Sequence, residues 1–163
     1  MFAHRMKSIF RFDILGIPVL PTLAGGFVLM STMFLWFGGV FVDRFQPLMG
    51  ITEADVTATA LGWWYPIGIA LSMSQGLGLA ILLKWQNWPT VKGAINTAFV
   101  ASTFFGVTTF GYRLVIFPER SLELFFINVS GIIVAFLFAA ITISLLRSIN
   151  PEKDLNTQGL GEK

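Results

Sequence analysis

The sequence predicts an all-α integral membrane protein: a bundle of four transmembrane helices with short connections and both termini in the cytoplasm. Composition is the first reason, since 55% of the 163 residues are apolar, 12% are charged and the mean hydropathy is +0.73. In a soluble domain about a quarter of the residues are charged, and they cover the surface that faces water. The second reason is that the apolar residues form four runs long enough to cross roughly 30 Å of hydrocarbon as helices.

Three regions follow one another along the chain. Residues 1–16 form a basic N-terminal segment, residues 17–149 the transmembrane domain, and residues 150–163 a polar cytoplasmic tail that we expect to be disordered. The first apolar run is longer than the roughly 7–15 apolar residues of a signal peptide, so we interpret it as a retained membrane helix. The predicted spans, numbered 1 to 4, are residues 17–41, 57–83, 93–116 and 124–146.

The loop between spans 1 and 2, residues 42–56, is called the outer loop. The second helix is expected to begin in this loop, before its membrane part. Thr52 can cap free N–H groups, and Glu53 and Asp55 would lie in the first turn, where the helix dipole favours carboxylates. Pro66 would then lie thirteen residues inside this helix and should kink it.

Aromatic residues mark both ends of span 2, as is typical where a helix crosses a membrane interface. Trp64 and Trp85 are 21 residues apart, which is about 31 Å of helix. The residues of the two belts are Trp63, Trp64 and Tyr65 at one end, and Trp85 and Trp88 at the other.

The distribution of basic residues predicts the orientation. More of them fall on the side of the two termini, which the positive-inside rule assigns to the cytoplasm of a bacterial inner membrane or an equivalent membrane. The eight on this side are Arg5, Lys7, Arg11, Lys84, Lys92, Arg147, Lys153 and Lys163, and the three on the outer side are Arg44, Arg113 and Arg120.

Small residues recur every four positions in three of the spans and favour close helix packing. This packing could be internal to the bundle or could form a homo-oligomer interface. The series are Gly68, Ser72, Gly76 and Ala80 in span 2, Ala94, Ala98, Ser102 and Gly106 in span 3, and Gly131, Ala135 and Ala139 in span 4.

The amide residues of the spans lie at different depths. Gln75 is halfway between Trp64 and Trp85, Asn96 is close to the inner surface, and Asn128 is close to the outer one. We therefore expect these three amides not to share a site.

Gln75 nevertheless lies on the small-residue face of span 2. We expect spans 2 and 3 to cross near Gly76 and Ser102, with the Gln75 amide hydrogen-bonded to Ser102, Thr103 or a backbone carbonyl.

Arg113 is the charged residue placed deepest in the predicted spans, about one turn below the outer surface. A charge at this depth needs a partner or must reach the interface. We expect it to pair with Glu119, Glu123 or Asp55. A site for an anion or a lipid headgroup is the alternative.

Several chemistries are disfavoured by what the sequence lacks. It has no cysteine and a single histidine, His4, so it cannot build a thiolate metal site, a bis-histidine haem site or a catalytic triad. No ionisable residue lies in the middle of a span, which argues against a proton-driven pump. The basic residues form no patch for nucleic acid. No cofactor or metal site is evident, and a bound lipid or pigment stays an open alternative.

The chain length and span number are similar to those of the glutathione-dependent membrane enzymes of eicosanoid metabolism, and Thr108-Thr109-Phe110 is similar to a tripeptide of fluoride channels. Neither resemblance extends further, so no family is assigned from them. The function expected first is a non-catalytic accessory, assembly or scaffold subunit of a membrane complex, or a homo-oligomer. The alternatives are a passive channel for a small solute and a membrane enzyme acting on a lipophilic substrate.

Overall fold

The computed structural model describes residues 13–55, 57, 62, 64–116 and 121–149, and this part of the chain is mostly helical. The first twelve residues of the predicted basic segment, residues 117–120 and residues 150–163 of the predicted tail lie outside the described residues. Trp63, a residue of the predicted aromatic belt, also lies outside them, and Glu119, a predicted partner of Arg113, is one of residues 117–120.

Four of the helices are long and apolar enough to cross a membrane: α1 with the turn that continues it, α3, α4 and α5. The elements in chain order are β1 (Asp13–Ile14), β2 (Ile17–Pro18), α1 (Val19–Leu35), a π-helical turn (Trp36–Val40), α2 (Val42–Met49), α3 (Trp64–Trp85), α4 (Val91–Ile116) and α5 (Leu122–Ser148). Here the inner end is the end of the helices that carries Lys84, and the outer end is the one that carries Arg113.

The start of the second span differs from the prediction. Thr52 does cap a helical turn, because its hydroxyl oxygen accepts the Asp55 N–H at 3.3 Å. The spanning helix, however, begins only at Trp64. Pro66 therefore lies in its first turn, where an N–H has no acceptor within the helix. The expected kink thirteen residues into the helix is wrong for this reason.

A two-stranded hairpin precedes α1 and crosses the predicted boundary between the basic segment and span 1. Asp13 pairs with Pro18 and Ile14 with Ile17. Leu15 and Gly16 both have positive φ, at 54° and 73°, as a tight two-residue hairpin turn requires.

The hairpin is attached to the inner end of α3. The Lys84 ammonium donates a hydrogen bond to the Leu15 carbonyl oxygen and lies next to Gly16. The beginning of α1 and the end of α3 are thus neighbours.

The outer loop contains a short helix, α2, that the sequence analysis did not predict. It ends at Met49, and the next residue, Gly50, has a left-handed φ of 64°. The Gly50 and Ile51 N–H groups donate to the last carbonyl groups of the helix. The Phe45 ring lies 4.5 Å from the Phe37 ring in the π-helical turn, measured between ring centres. These contacts hold the loop against the outer end of the helices.

Helix α5 packs against both α1 and α4, and α3 packs mainly against α1. The small-residue series of spans 3 and 4 are buried in these contacts. A Cβ on Gly106 would touch Ile132 of α5, and one on Gly25 of α1 would clash with Ile143 of α5. The buried apolar core consists of Leu29, Leu79, Ala80, Leu83, Ala94, Ala98, Ala135, Ala139, Ala140 and Ile143.

The expected crossing of spans 2 and 3 at Gly76 and Ser102 is wrong. Gly76 faces α1, where a Cβ would lie 2.7 Å from the Cα of Gly26. Ser102 lies on the α4 face that α5 covers, and its hydroxyl donates to the Phe99 carbonyl oxygen at 3.2 Å. A face of small residues permits close approach by any smooth helix, so it does not specify which helix packs there.

Candidate functional site

A small cavity at the outer end brings together two of the predicted site residues, Arg113 and Asn128. Its volume is about 20 Å³, enough for about one water molecule. It lies between the last turns of α4 and the first turns of α5. The lining residues are Phe110, Arg113, Leu114, Ser121, Leu124, Phe125 and Asn128.

Ser121 and Asn128 are held by the first turns of α5 itself. The Ser121 hydroxyl oxygen caps the helix by accepting the Leu124 N–H at 3.1 Å. The Asn128 side chain is buried, and its amide nitrogen donates to the Leu124 carbonyl oxygen at 2.7 Å. One polar group of the cavity wall is therefore fixed in orientation by its own helix.

Glu123, also a predicted site residue, pairs with Arg44 of α2. The Arg44 Nε donates to a Glu123 carboxylate oxygen at 2.7 Å. The two side chains are 69% and 44% exposed, so the pair contributes at most about 1 kcal/mol. Glu123 also lies in the first turn of α5, where the helix dipole favours its charge. Pairing of Arg113 with a carboxylate stays a prediction.

The polar groups of the cavity wall are one guanidinium, one hydroxyl and one amide. Arg113 is the ionisable group among the described lining residues. No group of three His, Cys, Asp or Glu residues that could hold a metal ion occurs within the described ranges. A guanidinium and a buried amide beside a space of this size can hold an ordered water molecule.

Gln75 is not where the sequence analysis expected it. Its side chain is exposed on the surface of the helices and makes no hydrogen bond with the described part of the chain. The expected bond to Ser102 or Thr103 is therefore wrong. The Thr103 hydroxyl is itself buried without a partner among the described residues.

The remaining predicted positions are spread over the molecule. Asn96 is exposed near the inner end, and Ser72 is partly buried, with its carbonyl oxygen 3.4 Å from where a Cβ on Gly26 would lie. Gly68 is exposed, and a Cβ there would meet nothing within 4 Å. The amides Gln75, Asn96 and Asn128 do not share a site.

Sequence reasoning missed Trp36, the residue that joins α1 to α5 near the outer end. Its indole N–H donates to the Ile127 carbonyl oxygen at 3.1 Å. The ring lies over Gly131, where a Cβ would come within 2.7 Å of it. The π-helical turn begins at this tryptophan. The pair Gly38-Gly39 inside this turn was the available signal that the helix is irregular here.

Comparisons with known proteins give one result. No curated protein and no solved structure matches the chain. The sequence model of DUF1761, described as a protein of unknown function, matches residues 20–144. This range runs from the beginning of α1 almost to the end of α5 and covers most of the chain. The chain with this arrangement of four apolar helices therefore belongs to the DUF1761 family.

Proposed function

We propose that the protein is a non-catalytic membrane subunit that works through helix–helix contacts, as an accessory, assembly or scaffold component of a larger complex or as a homo-oligomer. The observation that supports this proposal is that glycine and amide residues are exposed on the surface of the spans. Gln75 and Gly78 are exposed on α3, and Asn96 is exposed on α4. Glycine and amide side chains favour contacts between helices more than contacts with lipid tails.

The limited burial of the spans supports the same proposal. Within the most apolar part of each span, the chain itself buries between 11% and 33% of the residues. Much of the surface that faces the membrane is thus available to lipid and to other helices.

The proposal includes a four-helix bundle with both termini in the cytoplasm. Lys84 contacts the hairpin before α1, and the Arg147 guanidinium at the end of α5 lies 4.7 Å above the centre of the Trp88 ring. The beginning of α1 and the end of α5 are therefore at the end where these basic residues lie. Together with Lys92, these basic residues outnumber Arg44 and Arg113 at the other end among the described residues. The positive-inside rule counts basic residues, so this excess favours a cytoplasmic inner end.

Native electrophoresis tests the proposed function. A tagged chain extracted from its native membranes in mild detergent should migrate as a complex that contains further copies or further polypeptides. Mass spectrometry of the complex identifies them, and a denaturing detergent should release the single chain. A chain that migrates alone in mild detergent, with no co-migrating polypeptide, would contradict the proposal.

A further inference from the structure

We propose that α3 binds a second copy of the same chain through an exposed face that includes Gln75, so that two copies form a parallel dimer in the membrane. The inference rests on the proposed function, which it makes specific by naming the surface and the partner. This Gln75 face consists of Leu71, Ser74, Gln75 and Gly78.

Gln75 lies at the depth where an unpaired amide is least favourable. It is 11 residues from the first residue of α3, Trp64, and 10 from the last, Trp85. Each distance is about 15 Å of helix, so the amide lies near the middle of the apolar layer. Its side chain is exposed and has no hydrogen-bond partner among the described residues. Hydrocarbon offers no partner either, so the amide requires one from outside the chain.

The surroundings of Gln75 permit another helix to come close. Leu71 and Gly78 are four and three residues from Gln75. Ser74 is three and four residues from these two, so they share one side of α3, and all are exposed. A Cβ on Gly78 would meet nothing within 4 Å. The Ser74 hydroxyl donates to the Ala70 carbonyl oxygen at 2.9 Å, so it is satisfied within its own helix.

The adjacent side of α3 already has its partner. Gly76, Leu79 and Leu83 are buried, with Gly76 against α1, so Gln75 lies at the edge between the buried and the exposed sides of the helix. Docking on the Gln75 face therefore leaves the internal packing of the chain unchanged.

A second copy of the chain supplies the hydrogen-bond partner that the Gln75 amide lacks. A primary amide is both donor and acceptor, so two of them can exchange hydrogen bonds. A two-fold axis perpendicular to the membrane places identical residues at identical depths. A different subunit would have to present a donor and an acceptor at this same depth.

Disulfide cross-linking in membranes tests the proposal, because the chain has no cysteine of its own. Leu71→Cys and Gly78→Cys, made one at a time in the full chain, should each give a disulfide-linked dimer with a membrane-permeable oxidant. Val100→Cys on α4 is the matched control, since it is 53% exposed and nine residues inside its helix, and it should not cross-link. Adding Gln75→Leu to Gly78→Cys should reduce the dimer about threefold or more, whereas Gln75→Asn should retain part of it.

Three outcomes would overturn the second copy as partner. One is the absence of cross-links at residues 71 and 78 in chains that insert as well as the Val100→Cys control. Another is equal cross-linking at Val100, which would show random collision. The third is a product whose mass includes a different polypeptide. If native electrophoresis of the same membranes still shows a complex, only the assignment of this face fails. If the chain migrates alone as well, the proposed function fails with it.

Discussion

At the scale of single residues, the contact between Gly26 and Gly76 determines how closely α1 and α3 approach. A Cβ on Gly76 would lie 2.7 Å from the Gly26 Cα and 3.3 Å from the Thr22 carbonyl oxygen. Both are backbone atoms, so they cannot move aside without shifting the helix. In a membrane such close approach is a principal source of attraction between helices.

Gly76→Ala should therefore destabilise the protein. We expect a loss of about 1–3 kcal/mol, as for other overpacked sites, measured as a lower midpoint of thermal unfolding in detergent. Gly111→Ala is the control, because a Cβ at Gly111 would meet nothing within 4 Å. Equal midpoints for the two variants would contradict the tight contact between α1 and α3.

Arg113→Gln should also lower the thermal midpoint. The guanidinium lies in the last turn of α4, where the helix dipole favours a cation, and it lines the outer cavity. Its exposure limits the expected loss to about 1 kcal/mol. A variant of unchanged stability that had lost a measured binding or transport activity would favour an anion or headgroup site over a structural role.

The small-residue faces were readable from the sequence, but their partners were not. Gly76 and Ser102 each lie at a buried helix contact, yet with α1 and α5 instead of with each other. Glycine and serine leave little side-chain shape by which one helix could select another. Gly76 packs against Gly26, which lies in span 1, outside the three series of small residues.

At the scale of elements, the end of α1 is held to α5 by a tryptophan over a glycine. Trp36 fills the space above Gly131 and donates to the Ile127 carbonyl oxygen. The indole ring fills the space that a Cβ on residue 131 would need. The effects of changing Trp36 and Gly131 on the free energy of unfolding should therefore depend on each other.

A double-mutant cycle measures this coupling. Gly131→Ala should destabilise the wild-type chain, since its Cβ would come within 2.7 Å of the indole ring. The same change should cost less in a Trp36→Leu chain, where the smaller side chain leaves room. We expect a coupling of about 1 kcal/mol in thermal or chemical unfolding. Additive effects would mean that the ring moves away freely.

The capping turn at Thr52 should respond to acid. Hydrogen bonds from the Thr52 hydroxyl and backbone N–H lower the pKa of Asp55 below its usual value of 3.8. Because the folded value is the lower one, the carboxylate stabilises the turn above the unfolded pKa, and this stabilisation is lost as the pH falls through the folded pKa. The Thr52 and Asp55 amide resonances should shift together in a titration below pH 3.8. An Asp55→Asn chain should show neither shift.

The long helices could be predicted from the sequence, whereas the short elements could not. Apolar runs of membrane length identify α1, α3, α4 and α5 without reference to any neighbour. The hairpin and α2 are too short to be stable by local preference alone. Each is attached by a contact to a distant helix, through Lys84 in one case and Arg44 in the other.

At the scale of the whole molecule, the orientation proposed above can be read by labelling, because cysteine is absent from the sequence. Single cysteines at Gln46 and Ser121 should react with a membrane-impermeant reagent from one side of the membrane. Cysteines at Thr90, Ser8 and Thr157 should react only from the other side. Three spans lie between Gln46 and Thr157. Accessibility of both residues from the same side would contradict this odd number of crossings.

The position of α5 as the helix shared by α1 and α4 also sets the order in which the molecule can be assembled at a ribosome. The α1–α3 contact through Gly26 and Gly76 involves only residues that are synthesised early. The α4 face that carries Ser102 is covered by α5, which follows it in the chain. During membrane insertion this face of α4 therefore stays uncovered until α5 has been synthesised. A nascent chain stalled before residue 122 should for that reason be the form that chaperones and membrane proteases recognise.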